Sequence, residues 1–196
     1  KDIESGRYEG WNDPRLPTLS ALARRGIQPS ALRAFWLELA ITQKDISVPL
    51  SSLFSHNTKA VDSTAPRLAF VRDAVRMPIS GAPDEATLVR YPDQPDKDPR
   101  RHDLTAGHVW IEEADASMGS FRLKDLVDVD RHEDTLIAGG IERQDQRPIV
   151  HWTVDSSKDA TLVLAEDDQL HEISGRLEPH DFPAGTVVQL ERIGYA

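Results

Sequence analysis

At Ala65-Pro66-Arg67 the hydrophobic period of this chain changes from that of helices to that of strands. Pro66 fixes φ and removes an amide donor, so neither kind of element runs through it unbroken. Before the break, three helices are predicted. The first runs from Thr18 to Arg25, with Leu19 and Leu22 on one face and Ala23 beside them. Thr18 is a good N-cap, Arg24 and Arg25 suit the negative end of the helix dipole, and Gly26 supplies the stop. The second runs from Pro29 to Ile41 with Leu32, Phe35, Trp36 and Leu39 as its buried stripe and Arg33 pointing away. The third runs from Pro49 to Ser63, with Leu50, Leu53, Phe54 and Val61 inward and His56, Asn57 and Lys59 outward.

After the break the pattern is short strands separated by turns. Leu68, Phe70, Val71, Val75, Met77 and Ile79 alternate, Gly81-Ala82-Pro83-Asp84 turns, and residues 86–91 pair back. Residues 92–103 are rich in Pro, Asp and Arg and read as an irregular loop. Further strands are predicted at 108–112, 120–123, 126–129, 136–142, 148–153, 161–165 and 186–192. Many short strands with almost no helical pattern indicate an all-β unit of barrel type.

The helices are joined by loops that hold the backbone still. In Gly10-Trp11-Asn12-Asp13-Pro14-Arg15-Leu16-Pro17-Thr18-Leu19, two prolines fix φ while Asn12 and Asp13 cap turns. Residues 1–9 are polar and read as the tail of an element whose start is missing, and Lys1 is no natural start, so the chain is expected to be a fragment.

Charge divides the chain as the period does. The net charge is −10, which alone argues against contact with phosphates. Yet residues 1–101 sum to +2 and residues 102–196 to −12. Of the 23 basic residues 17 are Arg, whose planar fork suits phosphates and base edges better than a lysine does. With no Cys, disulfides and cysteine-bound zinc are excluded. No apolar run approaches the roughly 18 residues that a membrane helix needs.

Catalytic signatures are lacking. Asp128-Val129-Asp130-Arg131-His132-Glu133-Asp134 has the alternating acids of a calcium loop, but Glu133 stands where the sharp turn requires glycine and Gly139 where a bidentate acid belongs. It reads as a solvated turn. The seven His are scattered, none spaced as a zinc pair, and there is no glycine-rich phosphate loop. By type, Arg67, Gln189 and Arg192 offer donors suited to unpaired bases, and they converge if the first and last strands are neighbours.

Ordered motifs along the whole chain resemble the class I glutamyl- and glutaminyl-tRNA synthetases. They are Gly10–Leu19, then Arg24-Arg25-Gly26-Ile27, then Leu32-Arg33-Ala34-Phe35-Trp36. Ala65–Val71 resembles the start of that family's first anticodon-binding barrel, and Pro92–Lys97 the loop that follows. Phe121–Asp125 resembles the approach to the second barrel, Ile149–Trp152 a strand near its end, and Gly185–Tyr195 the returning strand of the first. Asn12 stands where the family usually has Asp, and Asp62 and Asp96 stand at polar positions that are Asn in some relatives.

The resemblance implies a mainly β fold with an N-terminal α-helical subdomain and two anticodon-binding β-barrels, the second inserted in the first. Residues 1–64 would form the helical connector that contacts the tRNA stem, 65–118 with 167–196 the proximal barrel, and 119–166 the distal barrel. It implies Arg67, Gln189 and Arg192 around the middle anticodon base, Lys124 and Arg122 near the first base, and Arg15, Arg24, Arg25 and Arg33 on the tRNA backbone. The expected parent is an archaeal-type glutamate–tRNA ligase, cytoplasmic and monomeric, with tRNA-Glu and its own catalytic domain as partners. ATP and magnesium would be used in that catalytic domain, with no cofactor and no catalytic residue in this part. The alternatives are the corresponding part of a glutaminyl-tRNA synthetase, or a β-barrel module that binds protein and not RNA.

Overall fold

Thr18 caps the first helix as its side chain allows: its Oγ1 accepts a hydrogen bond from the Ala21 amide at 3.1 Å. A computed structural model describes residues 3–40, 47–143, 146–166 and 168–196. Helix α1 spans Leu19–Arg24 and ends at Gly26, whose φ of 77° needs no Cβ to be accommodated. Helix α2 spans Pro29–Leu39 and α3 spans Leu50–Val61. The expected end of α2 at Ile41 lies outside the described residues, as do Lys1 and Asp2.

The three helices share a small core of Leu22, Ile27 and Leu53, with Leu32 and Phe35 packed on it. Several inward assignments differ from the expectation. Leu19, Trp36 and Leu50 are mostly exposed, and Ala21 and Ala31 take the interior positions. Three thin helices can cover only one side of each other, so the wide apolar stripe of α2 is buried along one margin. Asn57, expected outward, is buried and serves two backbone groups: its Oδ1 accepts from the Gln28 amide (2.8 Å) and its Nδ2 donates to Gly26 O (3.2 Å). It thereby satisfies the chain ends between α1 and α2 that would otherwise be left without partners.

The described chain is mainly β, with 36% strand against 18% helix, and all of its strands lie beyond Pro66. In order, the strands are β1 Arg67–Leu68, β2 Phe70–Arg72, β3 Ala74–Ser80, β4 Glu85–Leu88, β5 Arg100–Asp103 and β6 His108–Glu112. After the short helix α4, Glu113–Ala116, come β7 Ser120–Leu123, β8 Asp128–His132, β9 Thr135–Gly140, β10 Ile149–Val150 and β11 Trp152–Val154. The last are β12 Lys158–Glu166, β13 Gln169–Leu177, β14 Gln189–Leu190 and β15 Gly194–Tyr195. Strands β5 and β13 and helix α4 were not expected. β5 has no apolar residue; its inward side chains are Arg100 and His102. β13 is half-exposed and carries a glycine, so it lacks a clean alternation.

The largest sheet has the order β10-β7-β8-β9-β3-β6-β11. It takes strands from both sides of residue 119. Its inner face, with Val109, Ile111, Phe121, Leu123, Val129, Leu136, Val150 and Trp152, holds the main core. Its two outermost strands, β10 and β11, are halves of one stretch divided only by His151. Ile149 and Val150 run parallel to Arg122 and Leu123, while Trp152–Val154 run antiparallel to Val109–Ile111.

The remaining strands form a sheet β12-β13-β2, a sheet β1-β14-β15 and the pair β4-β5. The two three-stranded sheets share a core of Leu68, Phe70 and Leu190, with Leu162, Ile173, Leu177 and Phe182 packed against it, whereas Ala86 and Leu88 of β4 join the main core. Gly175 of β13 crosses close over β2; a Cβ there would meet the Val71 carbonyl and lie 2.7 Å from Phe70 Cζ. No helix among the described residues is long and apolar enough to cross a membrane.

Candidate nucleic-acid interface

The parallel pairing of β1 with β14 places Arg67 opposite Gln189 and Leu68 opposite Leu190. The two polar side chains stand on one face, and Arg67 Nε donates to Gln189 Oε1 at 2.7 Å. That bond fixes the amide's orientation: its oxygen faces Arg67, so its NH₂ group is turned outward to donate. On the other side of β14, β15 pairs Gln189 with Tyr195. Tyr195 donates its hydroxyl to Asp62 Oδ1 at 2.5 Å, and burial together with that bond raises its pKa to about 12. The result is a polar ledge built from the end of α3, the first strand and the last two strands.

Arg192 lies just past this ledge. Its φ is 68°, a left-handed conformation uncommon outside glycine, and Nη1 is 3.6 Å from Asp115 Oδ2 in α4. Asp115 is buried, and its desolvation raises its pKa despite the attraction of Arg192. Arg67 and Gln189 are thus brought into direct contact, whereas Arg192 flanks them and reaches toward α4.

The residues assigned to the first base stand on β7 and its turn. Lys124 Nζ is bonded to Asp125 Oδ2 (2.6 Å) and Glu191 Oε1 (3.0 Å). Arg122 is mostly buried: Nη1 donates to Asp128 Oδ1 at 2.8 Å and Nη2 to Ile141 O at 3.0 Å. Its fork is therefore already occupied in holding the ends of β8 and β9 together. Three of the four acids of the calcium-like segment have arginine partners as well, Asp128 on Arg122, Asp130 on Arg147 and Asp134 on Arg131.

The basic residues of the first half differ among themselves. Arg15 grips Asp13 through Nε (2.9 Å) and Nη2 (2.6 Å), which holds that carboxylate far below its ordinary range. Asp13 also accepts from the Glu9 and Arg15 amides, so this pair fastens the loop before α1. Arg24 is near Glu9, and Arg25 lies over the Phe54 ring at 5.2 Å. Arg33 is exposed on α2 beside a shallow groove lined by Pro29, Ala34 and Leu37.

Beneath the ledge lies a charged cluster that the sequence did not reveal. Arg100, 1% exposed, donates to Glu178 Oε2 (2.8 Å) and Glu191 Oε1 (3.0 Å). Glu178 also accepts from the Ala69 amide at 2.9 Å and has His102 Nε2 at 3.6 Å. Glu191 has His151 Nδ1 at 3.4 Å in addition to Arg100 and Lys124. Burial pushes the Glu191 carboxyl up, but His151, Arg100 and Lys124 outweigh it and hold the pKa at about 2. The residues of this cluster are spread from position 100 to 191, with no spacing that joins them before the topology is known.

Compared with known proteins, residues 65–145 match the family model for class I tRNA synthetases (E and Q), anticodon-binding domain. The chain is similar over all of its length to the glutamate–tRNA ligase of Pyrococcus abyssi, at 36% identity. It is 35% identical to that of Methanospirillum hungatei over 99% of the chain and 36% identical to that of Methanocorpusculum labreanum over 100%. It spans 36–37% of the length of these relatives.

Proposed function

We propose that this chain, whose residues 65–145 match the anticodon-binding domain of class I (E and Q) tRNA synthetases, is the part of a glutamate–tRNA ligase that reads the anticodon of tRNA-Glu. The observation that carries the reading is the Arg67–Gln189 bond. It joins residues 122 positions apart and leaves an oriented amide donor beside a guanidinium. Such a pair suits the edge of an unpaired pyrimidine with acceptor oxygens, as in uridine at the middle anticodon position. Arg192 closes the site from the side of α4. Lys124 lies at the border toward the first base, and Arg122 supports that border from beneath. Arg24, Arg25 and Arg33 face the sugar-phosphate backbone, with Arg15 stiffening the loop that leads to them.

We divide the chain into a helical connector (1–64), a proximal barrel (65–118 with 167–196) and a distal barrel inserted in it (119–166), with β3 and β6 extending the sheet of the latter and β12 returning to the sheet of the former. In the longer protein this part would set the tRNA in register with a catalytic domain. Glutamate activation with ATP and magnesium takes place in that domain, with no cofactor held here. The protein acts as a cytoplasmic monomer.

The test is a filter-binding titration of the chain with tRNA-Glu transcript at several salt concentrations, using wild-type anticodon and a changed middle base. Binding should weaken as salt rises, since phosphate contacts release counterions. Arg67→Ala, Gln189→Ala and Arg192→Ala should each lose about 1–3 kcal/mol of preference for the middle uridine. Variants that keep the wild-type preference would show that the ledge is not the reading site.

A further inference from the structure

Glu191 precedes Arg192 in the chain and its side chain holds Lys124, so it links groups proposed for the two base positions. It follows β14, so Gln189 is two residues before it and Arg192 immediately after it. Its amide donates to Leu68 O at 3.1 Å, beside Arg67, and Ile193 N donates to Leu190 O at 3.0 Å, closing a tight turn around it. Its side chain, 9% exposed, draws Arg100 from β5, Lys124 from the end of β7 and His151 from the gap between β10 and β11. Arg100 in turn reaches Glu178, and Trp152 Nε1 donates to Lys124 O at 2.9 Å. Glu191 therefore links the large sheet to the sheet β1-β14-β15.

Two consequences follow for the ledge. The left-handed residue Arg192 has no glycine-like freedom, so its conformation has to be held by its neighbours; it stands in the turn closed by the Ile193–Leu190 bond, directly after Glu191, which is anchored by Arg100, Lys124 and His151. Lys124 has its amine between Glu191 and Asp125, so its position relative to Gln189 is set by the same carboxylate.

We infer that Glu191 is a positioning residue for base recognition, fixing Arg192 and Lys124 at set places on either side of the Arg67–Gln189 pair. This rests on the anticodon reading proposed above. A carboxylate that merely stabilised the fold would contribute to melting temperature and leave base preference alone. Glu178 provides that comparison, because it shares Arg100 but contacts neither Lys124 nor Arg192 among the described residues.

The experiment compares wild type, Glu191→Gln, Glu191→Asp and Glu178→Gln for melting temperature and for binding to two tRNA-Glu transcripts, one with uridine and one with cytidine at the middle anticodon position. Glu191→Gln should lower the ratio of the two affinities by about tenfold, the size of one lost base contact, while binding of both transcripts at low salt persists. Glu178→Gln should melt earlier yet keep the wild-type ratio. Glu191→Asp, which keeps the charge but shortens its reach to Arg100 and Lys124, should lower the ratio as well, and it decides the matter if Glu191→Gln does not fold. A ratio unchanged in Glu191→Gln, or in Glu191→Asp where that variant decides, overturns the positioning role alone. A wild-type chain that binds both transcripts equally overturns the anticodon reading, and this inference with it.

Discussion

Replacing Arg100 by Met removes a guanidinium that is 1% exposed and lies between Glu178, which is fully buried at its side chain, and Glu191. Methionine is of similar length and fits the same channel, so the main effect is electrostatic. Glu178 would keep the Ala69 amide at 2.9 Å and His102 at 3.6 Å, and Glu191 would keep Lys124 at 3.0 Å. Breaking a buried pair by removing one partner costs about 3–5 kcal/mol, because the other charge is left uncompensated. For a domain of this size each kcal/mol moves the melting temperature by about 2–4 °C, so a fall of roughly 6–20 °C is expected. Thermal unfolding followed by circular dichroism at neutral pH measures it. High salt should restore little, since buried pairs are poorly screened. The double variant Arg100→Met/Glu178→Gln should be more stable than Arg100→Met, because it also removes the stranded charge. A single variant melting within about 2 °C of wild type, less than the shift for 1 kcal/mol, would refute the reasoning. So would a double variant no more stable than the single one.

Gly175→Ala should destabilise by about 1–3 kcal/mol, because the new Cβ must displace the Val71 carbonyl and Phe70 and the backbone cannot yield freely; denaturant titration of both proteins checks it. Thr18→Ala removes the acceptor for the Ala21 amide and should cost about 0.5–2 kcal/mol with faster amide exchange in α1. Acid should act partly through Glu191. Its folded pKa of about 2 is below its ordinary 4.5, so its contribution is present above pH 4.5 and is lost as pH falls toward 2. Melting temperatures taken across that window should fall more steeply for wild type than for Glu191→Gln.

The parts of the fold that could be read in advance are those where apolar residues alternate with a dry interior. β3, β6 and β7 are of that kind, and the break at Pro66 separated them from the helices. β5 was hidden because its inward residues are Arg100 and His102, charges made tolerable only by Glu178 and Glu191. Asn57 looked solvent-facing by type, and its burial depends on backbone groups between α1 and α2 that need exactly such a partner. The contact between Arg67 and Gln189 was legible only on the condition that the first and last strands are neighbours, which the pairing of β1 with β14 meets. The resemblance offered Arg122 as a free donor, whereas its donors are already engaged by Asp128 and Ile141. Whether a charge faces solvent or another charge is settled by topology, which spacing alone does not contain.

The stretch 149–154, which borders the large sheet on both sides, also bears on how the chain is made. Until these six residues are in place, β7 and β6 each present a row of unsatisfied amides and carbonyls, the kind of strand to which a neighbouring molecule can add. A nascent or partly unfolded chain is therefore most prone to association while this segment is undocked. Its docking removes both hazards in one event, so late folding and resistance to aggregation depend on the same short piece of backbone.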